Sequence, residues 1–142
     1  MLKEAFEGRI AVADAAKEWK EAIAMVIRPL EETGCAEPRY LEAIYQNVAE
    51  NGDYFILMPQ FAMPHTRPEN GALKNGLSFL KLRKPVVFSG GQEVTYLIGI
   101  TATDAEAHLD ILSELAELLM ETGVVEALSK ADTAEDIQEI LG

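Results

Sequence analysis

In the first third of the chain, apolar residues recur every three or four positions, the spacing of one helical face. This spacing predicts a first helix from about residue 15 to residue 32, with Asp14 as its cap. Pro29 is expected to bend or shorten its last turns. The apolar stripe consists of Trp19, Ile23, Val26 and Leu30. A second helix is predicted from Pro38 to Gly52, and its stripe consists of Leu41, Ile44, Tyr45 and Val48.

The middle of the chain changes to the alternation of apolar and polar residues that is typical of β-strands. The strongest strand is predicted over residues 94–102, where Leu97 adds an apolar residue on the second face. Shorter apolar stretches predict strands over residues 54–58 and 76–82, with another over residues 9–13. The alternating apolar residues of the strongest strand are Val94, Tyr96, Ile98, Ile100 and Ala102.

Helical spacing returns in the last third of the chain. Thr103 and Glu106 form a capping box, which predicts the start of a helix that ends at Gly123. A short helix is predicted over residues 124–130, and Thr133 is predicted to cap a last helix. Strands between helical segments predict an α/β or α+β fold, a mixed sheet flanked by helices, in a single domain over residues 1–142.

Composition restricts the possible functions. The formal net charge of −12 argues against nucleic acid as a partner. Apolar runs are too short to cross a bilayer, and the acidic first residues do not resemble a signal peptide, so we expect a cytoplasmic protein without direct membrane insertion. Cys35 is the single cysteine, which excludes an intramolecular disulfide and a cysteine-based zinc site.

The charges are unevenly distributed along the sequence. Residues 104–142 contain 11 acids and one base, whereas residues 67–84 contain five bases and one acid. Most of these charges are expected to lie on solvated faces. A basic segment next to a reactive histidine can also guide anions.

The chain has two histidines, and the first of them, His65, lies between Pro64 and Pro68 in a stiff, extended segment. Most single histidines are ordinary surface or core residues, and the Pro-His pair alone favours that interpretation. Thr66 and Arg67 strengthen the case for a phosphorylated histidine, because a hydroxyl and a guanidinium are suitable phosphate donors. A solvent-facing charge is an equally good interpretation of Arg67 from the residues alone.

His108 is predicted near the start of the third long helix. It shares a stripe with Leu112, Leu115 and Leu119, so packing at the core edge is a strong alternative to a functional role. The functional interpretation is a neutral imidazole that donates a hydrogen bond to a phosphate at the positive end of that helix. In this hypothesis one ring nitrogen of neutral His65 is the nucleophile and a carbonyl holds the other as N–H.

These motifs resemble the IIA domains of the mannitol–fructose class of the bacterial phosphoenolpyruvate-dependent phosphotransferase system. The resemblance covers nearly the whole chain and is carried by residues 62–65, the Gly-containing strand at 94–100 and His108. Residues 37–40 and 63–69 look most like the ascorbate-specific members.

The resemblance implies a phosphotransferase component with the mannitol-type IIA fold. It implies that His65 accepts phosphate from the carrier HPr, and that His108 is the second active-site histidine. The phosphate then passes to a cysteine on a IIB component, which serves a membrane IIC transporter during uptake of ascorbate or a related sugar. We expect no cofactor.

The chain departs from the family pattern at two positions. Mannitol-type relatives carry an Arg-Glu pair where this chain has Asn47 and Val48, so Arg67 is the best substitute for the missing arginine. Where relatives often have glycine after the histidine, this chain has Thr66, which adds a hydroxyl.

Two other functions fit the same residues. One is a metal-dependent enzyme that uses His65 and His108 with Asp104 or Glu106, although the chain offers few good ligands. The other is a regulatory module whose phosphorylated His65 signals to a protein and is not coupled to transport.

Overall fold

The structure is a computed structural model that describes residues 2–6 and 8–141. Four strands and six helices make up the described chain, with one turn of 3₁₀ helix at Pro68–Asn70. The strands are β1 (Ile10–Ala13), β2 (Gln60–Ala62), β3 (Gly76–Val87) and β4 (Glu93–Thr101). The helices are α1 (Leu2–Phe6), α2 (Trp19–Glu32), α3 (Pro38–Asn51), α4 (Ala105–Met120), α5 (Val124–Lys130) and α6 (Ala134–Leu141).

The strands form one mixed sheet in the order β1-β3-β4-β2. The central strands β3 and β4 are antiparallel, whereas β1 is parallel to β3 and β2 is parallel to β4. Parallel neighbours need long crossover connections. The connection from β1 to β3 contains helices α2 and α3, whereas the connection from β2 to β4 contains the 3₁₀ turn and strand β3. The predicted mixed sheet flanked by helices is confirmed.

Each face of the sheet is covered by its own apolar layer. Helices α2 and α3 cover one face, where Ile23, Ile27 and Ile44 are fully buried. Helices α1 and α4–α6 cover the other face, where Leu115 and Ile137 are buried against the sheet. Gly99 of β4 lies beneath α2, and a Cβ there would collide with the Ser78 hydroxyl of β3 and come within 3.1 and 3.2 Å of Leu30 and Ile27 of α2. The packing around this position therefore requires glycine.

The alternation in β4 is interrupted near its start. Tyr96, Ile98 and Ile100 share one face, as the alternation predicts, and this face packs against the α4–α6 layer, but Val94 packs in the α2–α3 layer. The pairing of β2 with β4 shifts register between Gln60 and Phe61. Such an irregularity adds a residue to one strand and reverses the side to which the preceding residues point.

The strand predicted over residues 54–58 is wrong. Tyr54 and Phe55 form a turn, Met58 makes an isolated bridge to Phe61, and β2 begins at Gln60, two residues after the predicted strand ends. Gln60 enters β2 with a positive φ of 70°, so the chain turns sharply at that point. Phe55 is fully buried, and its carbonyl accepts a hydrogen bond from Met63 N–H. The apolar run reflects anchoring of this loop and not strand pairing.

Two predicted helix caps are also wrong. Glu18 caps α2, while Asp14 forms an ion pair with Arg83. Asp104 caps α4 through Ala107 N–H, because the predicted cap Thr103 instead bonds to Asn75.

The remaining helix boundaries follow the sequence more closely. The cap at Thr133 is confirmed, since its hydroxyl accepts from Asp136 N–H at 3.1 Å. Helix α3 begins at Pro38 and is followed by Gly52, as predicted. Pro29 does not shorten α2, which continues to Glu32. Helix α4 ends at Met120, before the predicted Gly123, and the short helix α1 was not predicted.

Lys81 anchors the C-terminal layer to the sheet. Its side chain is buried on β3, and the ammonium donates to the carbonyls of Leu128, Ser129 and Ala131 at 2.6–3.0 Å. These carbonyls end α5, where the helix dipole favours a cation. Burial lowers the pKa of Lys81, but the three acceptors satisfy every N–H of its ammonium.

We expect Lys81→Met to reduce the free energy of unfolding by about 2–3 kcal/mol, because it leaves buried carbonyls without a donor. Urea unfolding followed by circular dichroism measures the change. Lys84→Met is the matched control, since Lys84 is exposed on the same strand. Equal stabilities of the two variants would contradict the anchoring role.

Candidate active site

The sheet topology brings the two histidines together. His65 follows the carboxyl end of β2, and His108 lies in the first turn of α4, which follows the carboxyl end of β4. Because β2 and β4 are parallel neighbours, both carboxyl ends lie at the same edge of the sheet. The imidazole rings are 4.6 Å apart between centroids and tilted by 44°.

The backbone around His65 is fixed on three sides. Met63 N–H donates to Phe55 in the preceding loop at 3.0 Å, and Ile100 N–H donates to the Pro64 carbonyl at 3.2 Å. The Tyr54 hydroxyl donates to the carbonyl of His65 itself. Together with the restricted φ of Pro64, these bonds fix the backbone position from which the imidazole extends.

The His65 ring is held in one tautomer. Its Nδ1 lies 2.7 Å from the Met63 carbonyl, an acceptor, so Nδ1 carries the proton. The bare nitrogen is therefore Nε2. Burial lowers the pKa of His65, the bond to Met63 raises it, and nearby His108 lowers it further, with a net decrease. The neutral ring with a free lone pair on Nε2 is the dominant form at neutral pH.

His108 is half-buried beside His65. Burial lowers its pKa as well, so this ring is also neutral at pH 7. Ala105, the first residue of α4, lines the same cleft. The positive end of a 16-residue helix therefore faces the two imidazoles, which is an arrangement that favours an anion.

Thr66 is buried next to His65 and bonded at both its backbone and its side chain. Its N–H donates to the Tyr40 hydroxyl at 3.2 Å, and that hydroxyl donates to the Ile100 carbonyl at 2.6 Å. Burial raises the pKa of Tyr40 to about 12, so the hydroxyl keeps its proton. The Thr66 hydroxyl oxygen accepts from the amides of Asn47 and Asn70 at 2.7 and 2.9 Å.

Arg67 lies at the cleft with an exposed side chain. Within the described part of the chain, its guanidinium has no hydrogen-bond or ion-pair partner and can accept an anion. The cleft is nevertheless not basic, since Glu50 and Glu69 also line it. Neutral donors and the helix dipole must therefore contribute much of the stabilisation of an anion.

The cleft is open and has a volume of about 740 Å³. The four residues selected from the sequence, His65, Thr66, Arg67 and His108, all line it. Sequence reasoning did not select Tyr54, Asn70 or Glu50, because Tyr54 and Asn70 lie on connecting segments that carry no motif and Glu50 is an exposed residue near the end of α3. The other lining residues are Asn47, Asn51, Pro68, Glu69 and Ala105.

The described residues contain no group of three or more His, Cys, Asp or Glu side chains placed to hold a metal ion. They also include no helix with the length and apolar character needed to cross a membrane.

Comparison with known families identifies the family to which the chain belongs. Residues 6–142 match the family model described as "Phosphoenolpyruvate-dependent sugar phosphotransferase system, EIIA 2". The chain belongs to this IIA family. It is therefore a phosphotransferase component, and the family resemblance noted from its motifs is confirmed.

Individual IIA relatives agree with the family match. The chain is 39% identical to the mannitol-specific cryptic phosphotransferase enzyme IIA component of Escherichia coli K12, over 95% of this chain and 92% of the relative. It is 33% identical to the ascorbate-specific IIA component of Salmonella choleraesuis, over 89% and 84%. Mannitol and ascorbate therefore both occur among the names of similar proteins.

Solved IIA structures share the fold over almost the whole chain. The solution structure of the cryptic mannitol IIA protein from Escherichia coli superposes with a TM-score of 0.92 at 38% identity, covering 99% of this chain and 97% of that one. The mannitol enzyme IIA from Escherichia coli in complex with phosphorylated enzyme IIB gives a TM-score of 0.80 at 25% identity, with 94% of each chain covered.

NMR titration should give pKa values below 6.5 for both histidines, because burial disfavours the imidazolium. His108→Gln should raise the pKa of His65, since it removes a neighbour that disfavours the charged ring. As the pH falls through 6.5 the unfolded chain binds these protons first, so the free energy of unfolding should decrease. A pKa of His65 above 6.5 would show that Met63 stabilises the charged ring more than burial destabilises it.

Proposed function

We propose that this chain is a phosphoryl carrier that accepts phosphate on His65 Nε2 from phosphorylated HPr and passes it to a cysteine of a IIB component. The observation that carries the proposal is the contact between His65 Nδ1 and the Met63 carbonyl at 2.7 Å. It leaves Nε2 as a nucleophile at an open cleft in a IIA family member.

The transfer balances in protons and electrons. The Nε2 lone pair attacks phosphorus, and the N–P bond of the donor phosphohistidine breaks. The electron pair of that bond returns to the donor ring, which becomes a neutral imidazole. His65 keeps its proton on Nδ1, so the phosphorylated ring is an imidazolium that the Met63 carbonyl stabilises. In the second step the IIB thiolate attacks phosphorus, and the electron pair returns to Nε2.

The cleft supplies donors to the transferred group. The phosphoryl oxygens carry nearly two negative charges, and we assign Arg67, the Thr66 hydroxyl and His108 as donors to them. His108 donates a hydrogen bond and does not act as the nucleophile. Because phosphoryl transfer requires little covalent chemistry from the protein, positioning and charge stabilisation account for most of the catalysis.

The partners and the sugar are inferred from the family. A similar protein has been solved as a complex with phosphorylated enzyme IIB, which supports IIB as the acceptor. We propose uptake of ascorbate or a related sugar through a membrane IIC transporter. A cytoplasmic location and a single domain over residues 1–142 belong to the same proposal.

The direct test is incubation with enzyme I, HPr and phosphoenolpyruvate, followed by intact-mass measurement. We expect one phosphoryl group on the wild type and none on His65→Gln, which keeps a polar side chain but has no ring nucleophile. The adduct should be acid-labile and alkali-stable. Labelling of the variant to the wild-type extent would show that the phosphorylated residue is not His65.

Addition of purified IIB components separates transport from signalling. We expect transfer of the phosphate to a IIB cysteine, and comparison of ascorbate-type with mannitol-type IIB identifies the sugar class. A phosphorylated chain that transfers to neither would favour the regulatory alternative.

Arg67→Ala should slow transfer from HPr about tenfold to a hundredfold, the expected effect of losing a charge-assisted hydrogen bond. Arg67→Lys should also be slower, because an ammonium lacks the planar guanidinium fork. Stopped-flow or quench kinetics measure both rates. Arg28→Ala is the matched control, as Arg28 is exposed on α2 away from the cleft. An unchanged rate in Arg67→Ala would show that neutral donors alone stabilise the phosphate.

A further inference from the structure

Three polar residues form a connected group beside His65. The oxygen of the Thr66 hydroxyl accepts from the Asn47 amide at 2.7 Å and from the Asn70 amide at 2.9 Å. Asn47 belongs to α3, and Asn70 ends the 3₁₀ turn after the histidine segment. All three residues line the cleft, and we call them the Asn47–Thr66–Asn70 cluster.

The two amides determine what the Thr66 hydroxyl can do. A hydroxyl has one O–H donor and two acceptor lone pairs. Since both amides donate, both lone pairs are occupied and the O–H has no amide acceptor within the cluster. The backbone N–H of Thr66 is bonded to Tyr40, so the hydroxyl is the donor that this residue can offer to the cleft.

Asn47 also acts on the histidine backbone. Its side chain lies beside Tyr54 and lowers the pKa of that residue, which burial raises more strongly. The Tyr54 hydroxyl in turn donates to the His65 carbonyl. One amide on α3 thus contacts both the predicted phosphate donor and the residue that fixes the His65 backbone.

We infer that Asn47 and Asn70 are positioning residues that orient the Thr66 hydroxyl as a hydrogen-bond donor to the phosphoryl group on His65. This inference rests on the proposed function of His65. Glu50 and Glu69 line the same cleft and repel a phosphate, so a fixed hydroxyl donor adds to the stabilisation that Arg67 provides.

A purely structural role for the cluster makes a different prediction. If these bonds serve solely to attach the 3₁₀ turn to α3, their loss will change the stability of the fold and leave the phosphorylated state unaffected. The equilibrium constant for phosphoryl exchange with HPr separates these roles, because it compares phosphorylated and free forms of the folded protein. Thermal unfolding of each variant reports the structural contribution independently.

The test uses single and double variants. Thr66→Val, which removes the hydroxyl at nearly constant shape, should lower the exchange equilibrium constant about tenfold to a hundredfold. Thr66→Ser should recover most of that loss. Asn47→Ala and Asn70→Ala should each lower the constant to a smaller extent. In the Thr66→Val background, neither asparagine substitution should lower it further, since each acts through the hydroxyl. Gln46→Ala is the control for α3, because Gln46 is exposed and, among the described residues, its side chain bonds to Glu50 and to no member of the Asn47–Thr66–Asn70 cluster.

The Thr66 and Asn47 variants test the positioning role separately from the phosphorylation of His65. An unchanged constant in Thr66→Val, or full additivity of Asn47→Ala with it, would overturn the positioning role while wild-type labelling still supports phosphorylation of His65. If HPr does not label the wild type, phosphoramidate serves as a small-molecule donor. A shorter lifetime of phosphorylated His65 in Thr66→Val and Asn47→Ala would then support the inference, whereas equal lifetimes or no labelling would overturn it.

Discussion

The parallel pairing of β2 with β4 is the constraint on which the site depends. It places the ends of both strands at one edge of the sheet, so that His65, three residues beyond β2, meets His108 in the first turn of α4. The register shift at the start of β2 and the hydrogen bond from Ile100 to Pro64 fix how far the histidine segment extends along β4. A slip of one residue in this pairing would change the face of every β2 side chain and separate the two rings.

The site is organised by neutral hydrogen bonds more than by charge. Met63 selects the tautomer of His65, and Tyr54 fixes its carbonyl. Asn47 and Asn70 occupy the acceptor sites of Thr66. Such bonds are preorganised in the folded state, so under the proposed function they need no reorganisation when phosphate arrives or leaves. This arrangement suits the proposed carrier role, in which phosphate is held until a second partner takes it.

Several elements were predictable because their signals are local. The stripes of α2 and α3, the alternation in β4, the cap at Thr133 and the Pro-bracketed histidine depend on residues close in sequence. The errors at residues 54–58, at Asp14 and at Thr103 have another origin. In each case a distant partner decides the outcome: the Met63 backbone for the loop, Arg83 for Asp14, and Asn75 for Thr103. Local propensity cannot weigh such partners against each other.

The sequence alone determined the class of fold, the two histidines and the flanking Thr66 and Arg67 as candidates for phosphate chemistry, because residue types and short-range periodicity carry that information. Only the tertiary structure decided that Nε2 is the bare nitrogen, that the Thr66 hydroxyl has donors on both sides, and that Tyr54 and Asn70 belong to the site. Most of these features depend on contacts between separate segments, such as Asn47 with Thr66, which are 19 residues apart, and Tyr54 with His65, which are 11 residues apart. Contacts of this kind form only when helices and strands pack, so their geometry follows from the assembled sheet and not from any single motif.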